Sequence, residues 1–200
     1  MVGERWALLV IRELCFGPKR FTDLRAGLPR VGPDVLAQRL RELEEAGVVA
    51  RRTLAPPAAS RVYQLTEWGS ELAPVLLALG RWGSRAPMPD PAPPLGADAA
   101  AVALQTTFDP AAAAGVDESY ALCLGDQAFV LRVADGRLDI GRAPIAAPAV
   151  SLVTDTATLA AVLWHGRPLR DAVDAGLLAI EGDPRAAARL VGLFAAPVPV

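Results

Sequence analysis

Cysteine is scarce in this chain, with Cys15 and Cys123 as its two copies. Two cysteines cannot build the disulfide framework of a small secreted domain, and neither stands in a metal-ligand spacing. Such sparing use suits a reducing cytosol, and Cys15, at the end of an apolar helix pattern, reads as a small buried hydrophobe. Histidine is rarer still. His165 is alone, in WHGRP between an apolar helix pattern and a proline turn. A metal centre or a nucleophilic triad needs several such groups to converge, so His165 is read as structural. No run of about 18 apolar residues occurs, which argues against a membrane-spanning helix. The opening MVGERWALLVIRE carries Glu4, Arg5 and Arg12 and lacks the unbroken apolar stretch of a signal peptide. Glycine-rich phosphate loops are missing, and Ser119 and Ser151 lie in no nucleophile motif. Asp171 and Asp174 stand three apart beside Arg170, the pattern of a solvated helix face. These absences remove the common enzyme classes, so neither catalysis nor a cofactor is expected. A soluble, cytoplasmic protein that makes no use of a membrane remains.

What is present is a composition able to pack: 200 residues, 52% hydrophobic and 21% charged. The formal net charge of −2 hides an asymmetry. Residues 1–86 hold 13 Lys/Arg against 9 Asp/Glu, a balance of +4, whereas 87–200 hold 7 Arg against 13 Asp/Glu, a balance of −6. A basic front and an acidic back point to two modules with different partners. Between them APMPDPAPPLGAD (86–98) places five prolines in thirteen residues, the composition of an extended, semi-rigid spacer. The expected organisation is therefore a first domain over 1–85, a linker over 86–98 and a second domain over 99–200, of α+β class overall.

The front half reads as mainly helical. ERWALLVIREL (4–14) is apolar almost all round, as a buried helix is, and Gly17-Pro18 stops it. FTDLRAGL (21–28) is a short second helix with Thr22 as its expected cap. Pro33 opens a third helix at the position where its missing N–H costs nothing. There Leu36, Leu40 and Leu43 recur at i, i+4 and i+7 and define a buried stripe. Asp34, Gln38, Arg41 and Glu45 then project to the opposite side. VVARRTL (48–54) and SRVYQLT (60–66) are two strands joined by APPAA. Thr66 caps a last helix over 67–83, with Trp68, Leu72, Leu76, Leu79 and Trp82 on one side and Pro74 as a kink.

Three short helices followed by a two-stranded hairpin make a winged helix-turn-helix. Its third helix lies in the major groove with N-terminal residues reaching base edges. Gln38 can pair with adenine, and Arg41 can reach guanine or a phosphate. The candidate interface comprises Lys19, Arg20 and Thr22 at the second helix, Pro33, Asp34, Gln38, Arg39 and Arg41 on the third, and Arg51, Arg52, Ser60 and Arg61 on the wing. Side chains that read bases need neighbours that fix the register on the backbone, the role given to the arginines and to Lys19.

The residues GERWALLVIRELCFGPKRFTDLRAGLPRVGPDVLAQRLRELEEAGVVARR, continued by VYQLTEWGSELAPVLLALGRWG, resemble the HxlR family of winged helix-turn-helix regulators, relatives of MarR. The resemblance covers about the first 85 residues. It implies a homodimeric regulator bound to double-stranded DNA at an operator of two-fold symmetry. Family members usually carry more chain ahead of the ERW segment, including part of a first helix that helps dimerise. Some sense oxidants through a cysteine there, a role not transferred to Cys15.

The back half alternates. YALCL (120–124) and AFVLRVA (128–134) are strands, and Asp135-Gly136 turns the second into RLDIGR. AVSLVTD (149–155) and LLAIE (177–181) are two more strands. ATLAAVLW (157–164), PLRDAVDAG (168–176) and PRAAARLVGLF (184–194) are helices, the last opened by Asp183-Pro184. Residues 154–194 resemble the end of a sterol-carrier-protein-type domain. That resemblance implies a fold able to form a lipid-sized cavity, for which Phe129, Leu163 and Trp164 are nominated as lining. The combined reading is a dimeric, sequence-specific transcriptional regulator tuned by an apolar small molecule in its second domain. The alternative is a lipid or small-molecule carrier that uses its winged helix mainly to dimerise.

Overall fold

The computed structural model describes residues 2–55, 60–86, 94–142 and 147–196. Internal contacts divide the chain into two units, Met1–Leu79 and Gly80–Val200. Most of the proline-rich segment, 87–93, lies outside the described residues, as do 56–59 of the expected wing loop.

In the first unit, α1 (Ala7–Leu14) is buried along its length, with Ala7, Val10, Ile11 and Leu14 at most 2% exposed. Even Glu13 of α1 is 1% exposed. A turn leads to α2 (Phe21–Gly27), whose start differs from expectation. The Asp23 carboxylate accepts the Arg20 backbone N–H at 3.0 Å, while exposed Thr22 lies inside the first turn and donates to Asp23. Asp23 stands three residues past the cap, where a carboxylate reaches back to the orphan N–H and complements the helix dipole. Then comes α3 (Pro33–Glu45), with Pro33 in its first turn and Leu36, Leu40 and Leu43 buried as the spacing predicts.

Strands β1 (Val49–Thr53) and β2 (Arg61–Leu65) pair antiparallel, Arg51 opposite Tyr63 and Arg52 opposite Val62. Lys19 bridges to Tyr63 by two backbone hydrogen bonds, so the chain before α2 lies along the outer edge of β2. Thr66 caps the next helix as expected, accepting from the Gly69 N–H at 2.9 Å. The long helix over 67–83 is instead two, α4 (Glu67–Ser70) and α5 (Ala73–Gly83). Pro74 lacks the N–H that would continue α4, so the chain breaks just ahead of it.

The second unit opens with α6 (Ala97–Thr107), which starts inside the expected linker and had no counterpart in the sequence reading. Its sheet has the order β5-β4-β3-β6-β7. The strands are β3 (Glu118–Leu124), β4 (Gln127–Ala134), β5 (Arg137–Gly141), β6 (Val150–Thr154) and β7 (Leu178–Gly182). Only β3 and β6 run parallel; the other pairs are antiparallel. Alternation puts Tyr120, Leu122, Phe129, Leu131 and Leu152 on one face, all at most 2% exposed. The helices α7 (Thr156–Trp164), α8 (Leu169–Asp174) and α9 (Pro184–Gly192) complete the α+β order. Asp183 caps α9 by accepting the Arg185 N–H, as its sequence predicts.

Candidate nucleic-acid interface

The outward ridge of α3 is free. Gln38 and Arg41 are exposed, as are Pro33, Asp34 and Glu45. A side-chain chain runs along that ridge. Arg41 donates to Gln38 Oε1, and Gln38 Nε2 donates to Glu42 Oε1 at 2.8 Å. Both ends of the Gln38 amide are thus held, which fixes the plane of its donor–acceptor edge. Arg39 departs from expectation. Its guanidinium binds Glu42 and lies 3.7 Å from Glu4, with 14% of the side chain exposed. Arg39 faces the flank of α3 toward the N-terminal segment, because 39 lies three residues after buried Leu36 and four before buried Leu43.

On the wing, Arg51 and Arg52 point to opposite faces, since neighbours alternate along a strand. The Arg51 guanidinium sits 5.2 Å from the Tyr63 ring centroid and 2.8 Å from Glu44, so the body of the unit holds it. Arg52 and Arg61 are exposed and form no ion pair among the described residues. Ser60 is partly buried, and its carbonyl accepts the Leu54 N–H at 2.9 Å, closing the hairpin's outer end. Arg20 is exposed beside α2. Lys19, nominated for a phosphate, does something else. Its ammonium lies 2.9 Å from buried Glu13, and 12% of its side chain is exposed. Arg12 reaches the other carboxylate oxygen at 2.9 Å. A carboxylate this deep needs its counter-charges more than a phosphate does.

Arg25 on α2 and Arg30 in the turn before α3 are exposed as well and were not nominated from the sequence. The charge surplus of the front half includes both, but attention to residues adjoining helix starts passed over them.

In the second unit the described residues pack closely around the sheet's apolar face. A cavity of about 10 Å³ remains among Leu104, Leu122, Leu152, Leu163 and Phe194, the room of roughly one water. Leu163, nominated for a lipid-sized cavity, borders this water-sized one. Phe129 is buried elsewhere, under the Arg142 guanidinium at 4.4 Å, and Trp164 donates its indole N–H to Thr107 Oγ1 at 3.1 Å. Polar groups here bind one another. Arg142 pairs with buried Asp98 at 2.9 Å, and Glu118 bridges Arg189 and the Tyr120 hydroxyl at 2.6 Å each. Hydrogen bonds from Arg189, then from Tyr120, hold the Glu118 carboxyl below the usual carboxylate range. Burial pushes the Tyr120 hydroxyl up. Among the described residues no group of three or more His, Cys, Asp or Glu could hold a metal ion. No helix among the described residues is long and apolar enough to cross a membrane.

Comparison with known proteins places both units. Residues 1–90 match the family described as HxlR-like helix-turn-helix. Residues 97–200, just over half of the chain, match the family described as alkyl sulfatase C-terminal. The uncharacterised HTH-type transcriptional regulator YvaP of Bacillus subtilis is 36% identical over 84 residues, covering 42% of this chain and 78% of the relative. The chain belongs to the HxlR-like helix-turn-helix family through its first unit and to the alkyl sulfatase C-terminal family through its second. Among solved structures, the reduced form of YodB from B. subtilis aligns at TM-score 0.39 and 36% identity, over 42% of this chain and 82% of that one. A double mutant of the sec-alkyl sulfatase PisA1 aligns at TM-score 0.46 and 21% identity, over 51% of this chain but 17% of the sulfatase. The HxlR match spans the helices and wing just described. The second match begins at 97, where α6 begins.

Proposed function

We propose that the chain is a cytoplasmic, dimeric transcriptional regulator that reads an operator of two-fold symmetry with α3 and grips the flanking phosphates with its wing. The observation that carries this reading is the exposed Gln38–Arg41 ridge, with Arg52 and Arg61 on the hairpin that follows it. Glutamine matches the adenine edge in the major groove, and arginine matches guanine or a phosphate. Arg20, Arg25 and Arg30 add sequence-independent attraction. Glu42 and Glu44, which oppose DNA by charge alone, are already spent on Arg39 and Arg51.

Dimerisation is supported by an uncovered apolar face. Trp68, Val75, Leu79 and Trp82 are 54%, 48%, 45% and 77% exposed, and the last three recur at i, i+4 and i+7 along α5. A two-fold pair closed there would present two α3 helices to successive half-sites, one helical turn of about 34 Å apart.

The second unit is proposed as a binding module rather than an enzyme, taking an apolar small molecule of the alkyl class. With about 10 Å³ open, such a ligand must part α7 and α9 from the sheet, so binding and conformational change are one event. A ligand shifts operator affinity only by its differential affinity for the two states.

The test selects duplexes from a random pool with the full chain, then measures the winner against salt. A single enriched site with binding that weakens steeply as salt rises is expected; binding without sequence preference would falsify the regulator reading. Titration with octanol and octyl sulfate below denaturing concentrations examines the second module, and an operator affinity unchanged by either removes the sensor role.

A further inference from the structure

We propose that Val35 is a specificity-determining residue that reads the 5-methyl group of a thymine, deepening the operator reading above and resting on it. Val35 occupies the third position of α3 and is 43% exposed. The other large exposed hydrophobics of the first unit lie on α4 and α5. A valine on a helix surface is a poor choice on local grounds. Its branched Cβ loses rotamer freedom against the preceding turn, and its methyls gain nothing from water. Its neighbours on the helix surface at i+3, i+4 and i+7 are polar: Gln38, Arg39 and Glu42. Arg39, one turn further on, is engaged by Glu42 and Glu4.

The placement gives the valine a use. The first turn of a reading helix is the part that enters the major groove most deeply. Along that groove the base edges are donors and acceptors with one apolar exception, the methyl of thymine. An exposed apolar side chain there has a single complementary feature to meet. Val35 and Gln38 are three residues apart, so their side chains stand about 5–6 Å apart on one surface. The thymine therefore lies within two base pairs of the adenine that Gln38 reads. The two contacts together specify two neighbouring base pairs, one by its hydrogen-bonding edge and one by its methyl group.

The experiment starts from the duplex selected by the full chain, with deoxyuridine placed at each thymine of the half-site in turn. Deoxyuridine removes the methyl and leaves the pairing edge intact. One thymine should cost the wild type about threefold to fivefold in affinity on substitution, the size of one methyl taken from contact back to water. In Val35→Ala, which keeps or improves helix propensity and so keeps the fold, that penalty should shrink below about 1.5-fold, a residue of the same methyl burial. Binding to the methyl-free duplex should be similar in both proteins. Equal penalties in wild type and variant, or a selected half-site with no thymine near the Gln38 base, overturn the Val35 assignment while leaving the regulator reading intact. Failure to enrich any site overturns that reading, and the assignment with it.

Discussion

The Glu13 carboxylate is 1% exposed, yet Arg12 and Lys19 both stand 2.9 Å from it. A buried charge without such partners costs several kcal/mol, so the two cations are structural whatever else they might reach. Lys19→Ala should therefore lower stability in urea by about 1–3 kcal/mol, one charged partner being lost while Arg12 remains. It should leave the salt dependence of DNA binding unchanged. Arg52→Ala should do the reverse, weakening every duplex alike and flattening the salt slope by about one unit. If Lys19→Ala flattens the slope too, its assignment to Glu13 is wrong. The role of Lys19 was not legible in the sequence, because its partner sits six residues upstream and burial of Glu13 follows from packing around α1. Gln38 and Arg41 were legible, since their exposure follows directly from the leucine spacing of α3. Glu118 adds a second test at this scale. The folded state holds its carboxyl low, whereas the unfolded chain returns it to about 4.3. Its contribution is complete above that value and is lost as pH falls through the folded-state value. Stability of the second unit should decline on acidification below about pH 4, and Glu118→Gln should blunt that decline in a urea series against pH. An unchanged acid profile would show that Arg189 and Tyr120 contribute nothing net.

At the scale of elements, the first unit depends on how closely α4 approaches the residue that leads into β1. Gly69 is buried, and a Cβ there would overlap the Val48 carbonyl. Two effects oppose each other in Gly69→Ala. Helix propensity favours alanine by about 1 kcal/mol, but a backbone carbonyl held by the Thr66 N–H cannot move aside as a side chain can. Overpacking wins, at about 1–3 kcal/mol net destabilisation. A rise in melting temperature would refute this. The elements themselves were read well wherever a period was strong, as in α3, β3, β4 and α9. Helix α6 escaped because its run ADAAAVALQTT gives alanine on several sides and so little contrast between faces, although Ala99, Ala100, Ala101 and Leu104 are buried. The break between α4 and α5 was foreshadowed by Pro74, but a proline tells only that the ladder is interrupted, not whether the helix bends or ends. The extent of open cavity was beyond sequence altogether. Volume depends on how Leu104, Leu163 and Phe194 interdigitate, and composition is blind to that.

For the molecule as a whole, the charge asymmetry between halves pointed to two modules with different partners, and the winged helix was specified by order rather than by any single residue. What order cannot specify is the partner of α5. Leucine and tryptophan at helical spacing read as core, and Leu72 and Leu76 do pack on the first unit's core, while Val75, Leu79 and Trp82 stay uncovered. An exposed stripe of this kind is costly to leave in water, which is the ground for the proposed dimer contact. The double variant Val75→Glu/Leu79→Glu should sediment as a monomer where the wild type sediments as a dimer. Both positions are exposed, so the fold should persist, which circular dichroism checks. Each α3 would then hold a half-site alone, without the effective concentration that a joined partner supplies. Affinity for the complete operator should fall by about 10² or more, while binding to an isolated half-site changes little. A variant that remains dimeric would move the interface away from α5. A wild type that is monomeric on DNA would remove the two-fold operator from the proposal, because one reading helix has no second half-site to meet.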